Sequence, residues 1–247
     1  MRRERAQRST APSKQLPSSF HTDARAVAIV EVTSFFRGGR RSTNWYLRVR
    51  SALTPYGAIA SNLPAHGTIV DLGSGHGLLA FTLVLASDRR EIIGIDHDLE
   101  RVRLAQAAAL NLPPASRPRF ELSDLGEALR SFGSASLTGV AMVDMLHYFD
   151  RVTQRTLIEE AARVLAPGGV LAVREIDADA GIKAAFNRLY ERLATGIGFT
   201  QSGTRTLSFR GAREWTALLE AAGFSVRSQP CGPPFLADVL FVAQRKL

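Results

Sequence analysis

The sequence lacks the features that mark proteins held by disulfides or zinc clusters, membrane-spanning proteins and secreted proteins. Its 247 residues include a single cysteine, Cys231, which excludes an intrachain disulfide and a cysteine-based zinc cluster. No apolar run approaches the roughly 18 to 20 residues that a membrane-spanning helix needs. Residues 1–20 contain no apolar segment, and we therefore expect no secretory signal in them. Together these absences favour a cytoplasmic chain, since a reducing compartment suits a protein with one thiol.

Acidic residues are scarce at the start of the chain. Residues 1–50 contain 11 basic and three acidic residues, whereas residues 51–247 contain equal numbers, so the net charge of +8 belongs to the front end. Residues 1–22 are rich in Arg, Ser and Pro, a composition typical of a disordered basic tail. An organelle transit peptide is the alternative interpretation of the same composition.

Residues 23–66 predict an N-terminal helical cap. One helix is expected from residue 23 to about 36, and a second from residue 42 or 43 to about 53. On the second helix Trp45, Val49 and Leu53 share one face, and Trp45 is a candidate substrate contact. The cap either covers a ligand pocket, which we favour, or offers a basic surface to nucleic acid, a membrane or an acidic carrier.

A glycine-rich turn follows the cap. The stretch Thr68–Gly77 (TIVDLGSGHG) joins an apolar run that ends in an acid to three alternating glycines and the apolar start of a helix. Glycines let the backbone approach a ligand closely, and the free N–H groups of a helix start favour negative groups on it. The pattern predicts a loop that binds a nucleotide-type ligand through Asp71, Gly73, Ser74, Gly75 and Gly77.

The spacing of these glycines bears on which nucleotide is bound. A dinucleotide fingerprint, Gly-x-Gly-x-x-Gly, would require glycine at position 78, which is Leu78, and the third glycine is Gly77 instead. The loop therefore departs from the NAD pattern. A tight strand-to-helix turn that binds no ligand is the alternative interpretation.

Acidic residues end four of the predicted strands. After the glycine loop, whose strand ends in Asp71, the next strand ends in Asp96, 19 residues beyond Gly77. An acid that pairs with ribose hydroxyls is expected at about this distance. Two further strands end in Asp124 and Asp144. Because ligands bind outside the carboxyl ends of the strands in open α/β sheets, these acids should converge on one crevice.

These motifs follow one another in a recognisable order. VDLGSGHG, IIGIDHD, FELSDL, VAMVDMLHYF and LAPGG have the order and spacing of class I S-adenosylmethionine-dependent methyltransferases, and the chain resembles that family over about residues 65–176. The resemblance implies an α/β fold, with a doubly wound, seven-stranded, mostly parallel sheet, an antiparallel last strand and the N-terminal helical cap. The domain should span residues 67–247, with a helix over 177–194, a polar loop over 196–209, and a final helix before two strands.

The resemblance also implies how the cofactor, S-adenosylmethionine, is bound. The glycine loop would hold the methionine part, and Asp96, with His97 beside it, the ribose. Asp124 and Leu125 would hold the adenine, and Asp144 would line the sulfonium end. Each of these acids could instead cap a helix.

The segment after the fourth predicted strand carries the candidate catalytic residue. Methyl transfer needs an aligned nucleophile and often a base that removes its proton. His147 is the candidate base, and the alternative is that it only shapes the pocket. Tyr148, Glu175 and Trp45 are candidate substrate contacts, while Glu175 and Asp177 are second choices for the base. No metal site is predicted.

Motifs that the sequence lacks narrow the acceptor. Asp144–His147 differs from the Asn/Asp-Pro-Pro-Tyr/Phe motif of enzymes that methylate base amines, and Asp177 is not followed by the asparagine of metal-dependent catechol-type enzymes. We expect metal-independent transfer to an O, N or C atom of a small or carrier-borne molecule. The alternatives are an RNA- or protein-modifying enzyme that docks through its basic front end, and a cofactor-binding protein without activity.

Overall fold

A seven-stranded sheet forms the centre of the molecule. The computed structural model describes residues 29–36, 41–181 and 207–247. The strands are β1 (Gly67–Leu72), β2 (Arg90–Asp96), β3 (Arg119–Leu122), β4 (Leu137–Val143), β5 (Leu165–Ile176), β6 (Phe224–Pro230) and β7 (Asp238–Arg245). The helices are α1 (Ile29–Ser34), α2 (Arg41–Leu53), α3 (Tyr56–Ala60), α4 (Leu78–Ala86), α5 (Leu99–Ala109), α6 (Leu125–Ser131), α7 (Arg151–Val164) and α8 (Ala212–Ala221). The predicted tail, residues 1–22, lies outside the described residues.

The strand order is β3-β2-β1-β4-β5-β7-β6. Each pair of neighbouring strands is parallel except those that include β7, which runs antiparallel to both β5 and β6. The predicted α/β sheet with an antiparallel last strand is therefore confirmed. The strand order reverses between β1 and β4, and such a switch point opens a ligand crevice at the carboxyl ends of the strands.

Apolar layers cover both faces of the sheet. Successive residues of β1 enter opposite layers, Ile69 on one face and Val70 on the other, as the two-residue period of a strand requires. Helix α4 is apolar along its whole length and is buried around almost all of its circumference, including Phe81 and Leu83. This helix lies beneath α1 and α3, which pack against it. Because α4 is buried on almost every side, its sequence has no polar face.

The helices α1, α2 and α3 form the cap. Val32 and Phe36 are buried, and the Phe36 ring meets the Phe81 ring edge-on with centroids 5.7 Å apart. On α2 the residue that packs into the core is Leu47, which is 1% exposed, whereas Trp45 is 64% exposed. The sequence-based face of Trp45, Val49 and Leu53 is thus not the face that α2 buries. The helix is turned so that its polar side can bind the end of the sheet, as described below.

The segment after β5 differs from its prediction. Residues 177–181 form a turn and not the start of a helix, and residues 182–206 lie outside the described part of the chain. The Asp177 carboxylate accepts hydrogen bonds from the backbone N–H groups of Asp179 at 3.0 Å and Ala212 at 2.8 Å. Asp177 therefore fixes the turn and the start of α8. The predicted helix over 177–194 is wrong at its first residues.

The described ranges contain neither a candidate membrane-spanning helix nor a candidate metal cluster. Within residues 29–36, 41–181 and 207–247, no helix is long and apolar enough to cross a membrane. The same residues contain no cluster of three His, Cys, Asp or Glu side chains with the proximity that a metal ion needs.

Candidate functional site

The glycine loop between β1 and α4 folds back over the end of β2. The backbone N–H groups of Gly73 and Ser74 both donate to the Ile95 carbonyl, at 2.8 and 2.9 Å, and Gly77 N–H donates to the Ser74 carbonyl at 2.8 Å. The loop is thus a compact turn that holds the start of α4 close to the carboxyl end of β2. The geometry confirms the predicted strand, turn and helix.

The structure gives different reasons for the glycines at positions 77 and 75 of the loop. Gly77 has a φ of +81°, and a Cβ there would lie 2.4 Å from Cζ of Phe120, so a side chain fits only if the Phe120 ring shifts. Gly75 has a φ of +55°, but a Cβ on it would meet nothing within 4 Å. Packing therefore requires glycine at position 77. At position 75 the missing side chain leaves open space in front of the loop.

Asp96, at the end of β2, holds this loop. Its carboxylate is buried, and Oδ2 accepts a hydrogen bond from the Gly75 N–H at 2.7 Å while Oδ1 accepts one from the Asp98 N–H at 2.9 Å. The His97 side chain is 60% exposed, with Nδ1 3.7 Å from Oδ1 of Asp96. Asp98 caps α5 by accepting hydrogen bonds from the backbone N–H groups of Glu100 and Arg101.

Asp71, at the end of β1, is a buried carboxylate with an unsatisfied oxygen. The residue is 3% exposed, and its Oδ2 atom has no hydrogen-bond partner among the described residues. Burial, and second the nearby charge of Asp96, raise the pKa of Asp71 to about 7, against the lowering effect of a backbone hydrogen bond from Ala80. The Ser74 hydroxyl is also unsatisfied within the described structure. Buried polar atoms of this kind call for a partner.

Both unsatisfied groups line one pocket. This cavity of about 50 Å³ lies between the cap and the glycine loop. Its walls are Tyr46, Leu47, Arg50, Tyr56, Asp71, Gly73, Ser74, His76, Leu78, Leu79 and Val143. The cap therefore supplies one wall, and the ends of β1 and β4 with the loop supply the other. The pocket is therefore too small for a whole cofactor, whose site usually measures roughly 300 Å³ or more, and has room only for one end of such a molecule.

His76, inside the loop, packs against the cap. Its ring lies 5.7 Å from the Tyr46 ring and 6.4 Å from the Phe36 ring, between centroids. Burial, and second the charge of Arg101, lower the pKa of His76 to about 4. The imidazole is therefore neutral near pH 7 and joins the cap to the loop as an aromatic contact.

Asp144, after β4, is bound by two arginines. Arg50 of the cap donates from Nη2 to Oδ2 at 2.9 Å, and Arg174 of β5 binds Oδ1. Arg174 also pairs with Asp238 at 2.7 Å and donates to the Leu53 carbonyl at 3.3 Å. Burial raises the pKa of Asp144, but the two guanidinium groups more than offset this and hold it below its usual value. Asp144 therefore ties the cap to the sheet and is not among the lining residues of the pocket.

His147 and Glu175 form a buried pair. Nδ1 of His147 lies 2.7 Å from Oε2 of Glu175, and each side chain is 1% exposed. Oε1 of Glu175 also accepts from the backbone N–H groups of Met145 at 3.1 Å and Leu146 at 2.6 Å. Glu175 thus fixes both the imidazole and the backbone that leads into it.

Aromatic rings enclose the imidazole of this pair. The His147 ring stacks on Phe209 with centroids 5.3 Å apart, and the Tyr148 ring centroid lies 4.2 Å away on a tilted plane. The Ser208 N–H donates to the His147 carbonyl at 2.9 Å. Tyr148, a candidate substrate contact, is therefore a neighbour of the candidate base in the structure.

The remaining predicted site residues do not line the pocket. Oδ1 of Asp124 caps α6 by accepting from Gly126 and Glu127 at 2.9 and 3.0 Å. The Leu125 side chain is 4% exposed and packs in the core, so only its backbone can face a ligand. Trp45 is not among the residues that line the pocket.

The sequence predicted a cap over the pocket but not which residues of the cap would line it. Tyr46 and Arg50 line it from α2, and Tyr56 lines it from α3. The four-residue spacing of Tyr46 and Arg50, which places them on one helix face, was the available signal. Nothing in the sequence showed which face of α2 would meet the sheet.

Comparisons with known proteins agree with this architecture. A family model described as a methyltransferase domain matches residues 69–169. The O-methyltransferase rstn1 of Aspergillus nomiae is 27% identical over 161 residues, or 61% of this chain and 69% of that protein. The ubiquinone/menaquinone biosynthesis C-methyltransferase UbiE of Syntrophotalea carbinolica is 25% identical over 172 residues, or 66% and 70% of the two chains.

A solved structure gives the same fold. The crystal structure of an S-adenosylmethionine-dependent methyltransferase from Methanosarcina mazei superimposes with a TM-score of 0.58 at 22% identity, over 77% of this chain and 97% of that one. The family model runs from β1 into β5, so it contains the glycine loop and the four strand-end acids. Residues 69–169 thus match a methyltransferase domain, and the chain has the Rossmann-like fold of a solved S-adenosylmethionine-dependent methyltransferase.

Proposed function

We propose that the pocket between the cap and the glycine loop holds the methionine end of S-adenosylmethionine. The observation that carries this proposal is the buried, unsatisfied Oδ2 of Asp71 beside the unsatisfied hydroxyl of Ser74. An ammonium group is the partner that a buried carboxylate with a raised pKa lacks, because an opposite charge stabilises its ionised form. The amino acid end of the cofactor carries such a group.

The rest of the cofactor would lie along the carboxyl ends of β2 and β3. Asp96 stands at the end of β2 and its carboxylate touches the loop through Gly75. A carboxylate has about four acceptor positions, so Asp96 can accept from ribose hydroxyls while it keeps its two backbone donors. The exposed His97 ring and the backbone at Asp124 and Leu125 would border the adenine.

We further propose that the acceptor is a hydroxyl group of a small or carrier-borne molecule. When bound, S-adenosylmethionine supplies an electrophilic methyl group on its sulfonium. A hydroxyl becomes a good nucleophile when a base takes its proton. His147 is the base in this proposal, and the relative named as an O-methyltransferase supports an oxygen acceptor.

Glu175 positions the base. Its hydrogen bond to Nδ1 of His147 fixes the imidazole so that Nε2 is the atom that takes the proton. The negative charge of Glu175 then stabilises the imidazolium that forms, as a carboxylate does in other paired bases. Phe209 stacks on the ring in the structure, so the proposal requires that side chain to move before an acceptor can reach the imidazole.

An activated carbon of a small molecule is the second candidate acceptor. The relative named as a C-methyltransferase favours it, and a phenol that loses its proton to His147 is also more nucleophilic at ring carbon. Both reactions need the same base and the same cofactor site.

The test is transfer of labelled methyl from S-adenosylmethionine to sets of phenols, catechol ethers and carbon acids, followed by mass determination of the product. Formation of a methyl ether supports the proposal. Labelled product only on RNA or protein, with steep dependence on salt, would favour docking through the basic front end instead.

A further inference from the structure

The pocket is lined by one positively charged side chain in addition to the acidic Asp71. Among the lining residues that the structure describes, only Arg50 carries a cation near pH 7, because burial first, then Arg101, lowers the pKa of His76 to about 4. Asp71 lies at the end of β1 and Arg50 on the facing helix of the cap. The two walls thus present opposite charges to whatever enters.

Arg50 lies at the pocket wall, where it is one of two arginines that neutralise Asp144. Its Nη2 lies 2.9 Å from Oδ2 of Asp144, and 22% of its side chain is exposed. Arg174 binds the other oxygen of Asp144 and is itself buried between Asp144 and Asp238. Asp144 therefore keeps a cationic partner if Arg50 takes up a second anion.

A guanidinium group suits this double role. It carries five N–H donors in a planar fork, so it can bind two carboxylates at once. Tyr46, four residues earlier on the same helix, lines the same wall. The wall therefore combines a fixed cation with an aromatic neighbour.

We propose that Arg50 binds the carboxylate of the methionine end of S-adenosylmethionine. This inference rests on the proposed cofactor site and names the residue that binds the negative charge of the amino acid end. Asp71 pairs with the ammonium group and Arg50 with the carboxylate. The cap helix α2 is then part of the cofactor site, and the ligand's carboxylate joins the cap to the sheet.

The test compares two ligands that differ only in that carboxylate. The dissociation constants of S-adenosylmethionine and decarboxylated S-adenosylmethionine are measured by calorimetry for the wild type and for Arg50→Met, Arg50→Lys and Arg48→Met. Arg48→Met is the matched control, because Arg48 is an exposed arginine of the same helix. The ratio of the two constants within each variant cancels general damage to the fold.

The wild type and Arg48→Met should prefer S-adenosylmethionine over its decarboxylated form by about 10- to 100-fold, the usual range for a charged hydrogen bond. Arg50→Met should weaken the first ligand by that factor and leave the second nearly unchanged, so the ratio falls close to one. Arg50→Lys should give an intermediate ratio, because an ammonium group keeps the charge without the planar fork.

Two results overturn this inference and leave the proposed function standing. In one, the wild type binds both ligands equally well. In the other, Arg50→Met weakens both ligands by the same factor, which means that Arg50 acts only by holding the cap to Asp144. Failure of the wild type to bind either ligand overturns the cofactor site together with the inference.

Discussion

The Oδ2 atom of Asp96 accepts a hydrogen bond from the backbone N–H of Gly75 at 2.7 Å. The conformation of the glycine loop therefore depends on the Asp96 carboxylate, and the two are not independent parts of the site. A change in the carboxylate alters the shape of the loop, and a side chain at position 75 enters the space beside the carboxylate.

Substitution of the two loop glycines should separate binding from stability. Gly75→Ala places a Cβ where nothing lies within 4 Å, at a φ of +55°. We expect it to fold, with a loss of about 1 kcal/mol in the free energy of unfolding from the left-handed backbone, and to lose affinity for S-adenosylmethionine. Denaturant unfolding and calorimetric titration measure the two effects.

Gly77→Ala is the matched comparison. Its Cβ would lie 2.4 Å from Phe120, so we expect a larger loss of stability, about 3 kcal/mol. A Gly77→Ala protein as stable as Gly75→Ala, or a Gly75→Ala protein with unchanged cofactor affinity, contradicts this account of the loop.

Asp71→Asn should stabilise the protein without its cofactor, more strongly at high pH. The folded-state pKa of Asp71 is raised from 3.8 to about 7, so the stability gained from its protonated form is complete below about pH 4 and is lost as the pH rises to 7. The advantage of the asparagine variant in the free energy of unfolding should therefore grow by about 3 kcal/mol between pH 5 and pH 8. Denaturant unfolding at both pH values measures it, and an advantage that shrinks is the contrary result.

The affinity for S-adenosylmethionine should fall as the pH drops below 7. An ammonium group binds the ionised form of Asp71, whose pKa without ligand is about 7, so affinity should decrease by up to about tenfold per pH unit. Titrations between pH 5.5 and 8.5 measure this, with Asp71→Asn as the control. The control should bind weakly with little pH dependence, and an equally steep profile in it would show that another group titrates.

Substitution of His147 should remove turnover and leave cofactor binding intact. Loss of a general base lowers kcat by about 10²- to 10⁴-fold, and His147 is not among the residues that line the cofactor pocket. His147→Asn should show that fall with an affinity for S-adenosylmethionine within about twofold of wild type. Glu175→Gln should lower kcat less, and the double variant should be no worse than His147→Asn alone, since the two act as a unit.

The alternative role of His147 has a different kinetic signature. A histidine that only forms the pocket wall affects how well the acceptor fits, so KM rises while kcat is largely kept. That result would remove His147 from the chemistry and make it a positioning residue for the acceptor.

Local sequence patterns were sufficient to predict the sheet and its edge. Apolar runs such as Ile92–Ile95 end in acids, and parallel strands place those acids at the same edge. The glycine loop was equally readable, because positive φ angles and close packing admit few other residues. These features depend on contacts near in sequence or on strand order that the family pattern supplies.

The sequence did not predict which cap residues line the pocket or which ion pairs form, because both depend on how elements far apart in sequence pack together. Whether Arg50 or Trp45 faces the pocket depends on the rotation of α2, which the pairing of Arg50 with Asp144 sets across 94 residues of sequence. Periodicity grouped Trp45 with Val49, yet Leu47 is the residue that the helix buries. In the same way Asp177 has the composition of a helix start, but its carboxylate holds a turn.

The most direct test of the central claim is calorimetric titration of the wild type and of Gly75→Leu with S-adenosylmethionine, S-adenosylhomocysteine and NAD. The wild type should bind the first two and not NAD. The leucine side chain would fill the open space in front of the loop, so Gly75→Leu should abolish binding while circular dichroism shows that the protein stays folded. Binding of NAD by the wild type, or undiminished binding of S-adenosylmethionine by a folded Gly75→Leu protein, would contradict the claim.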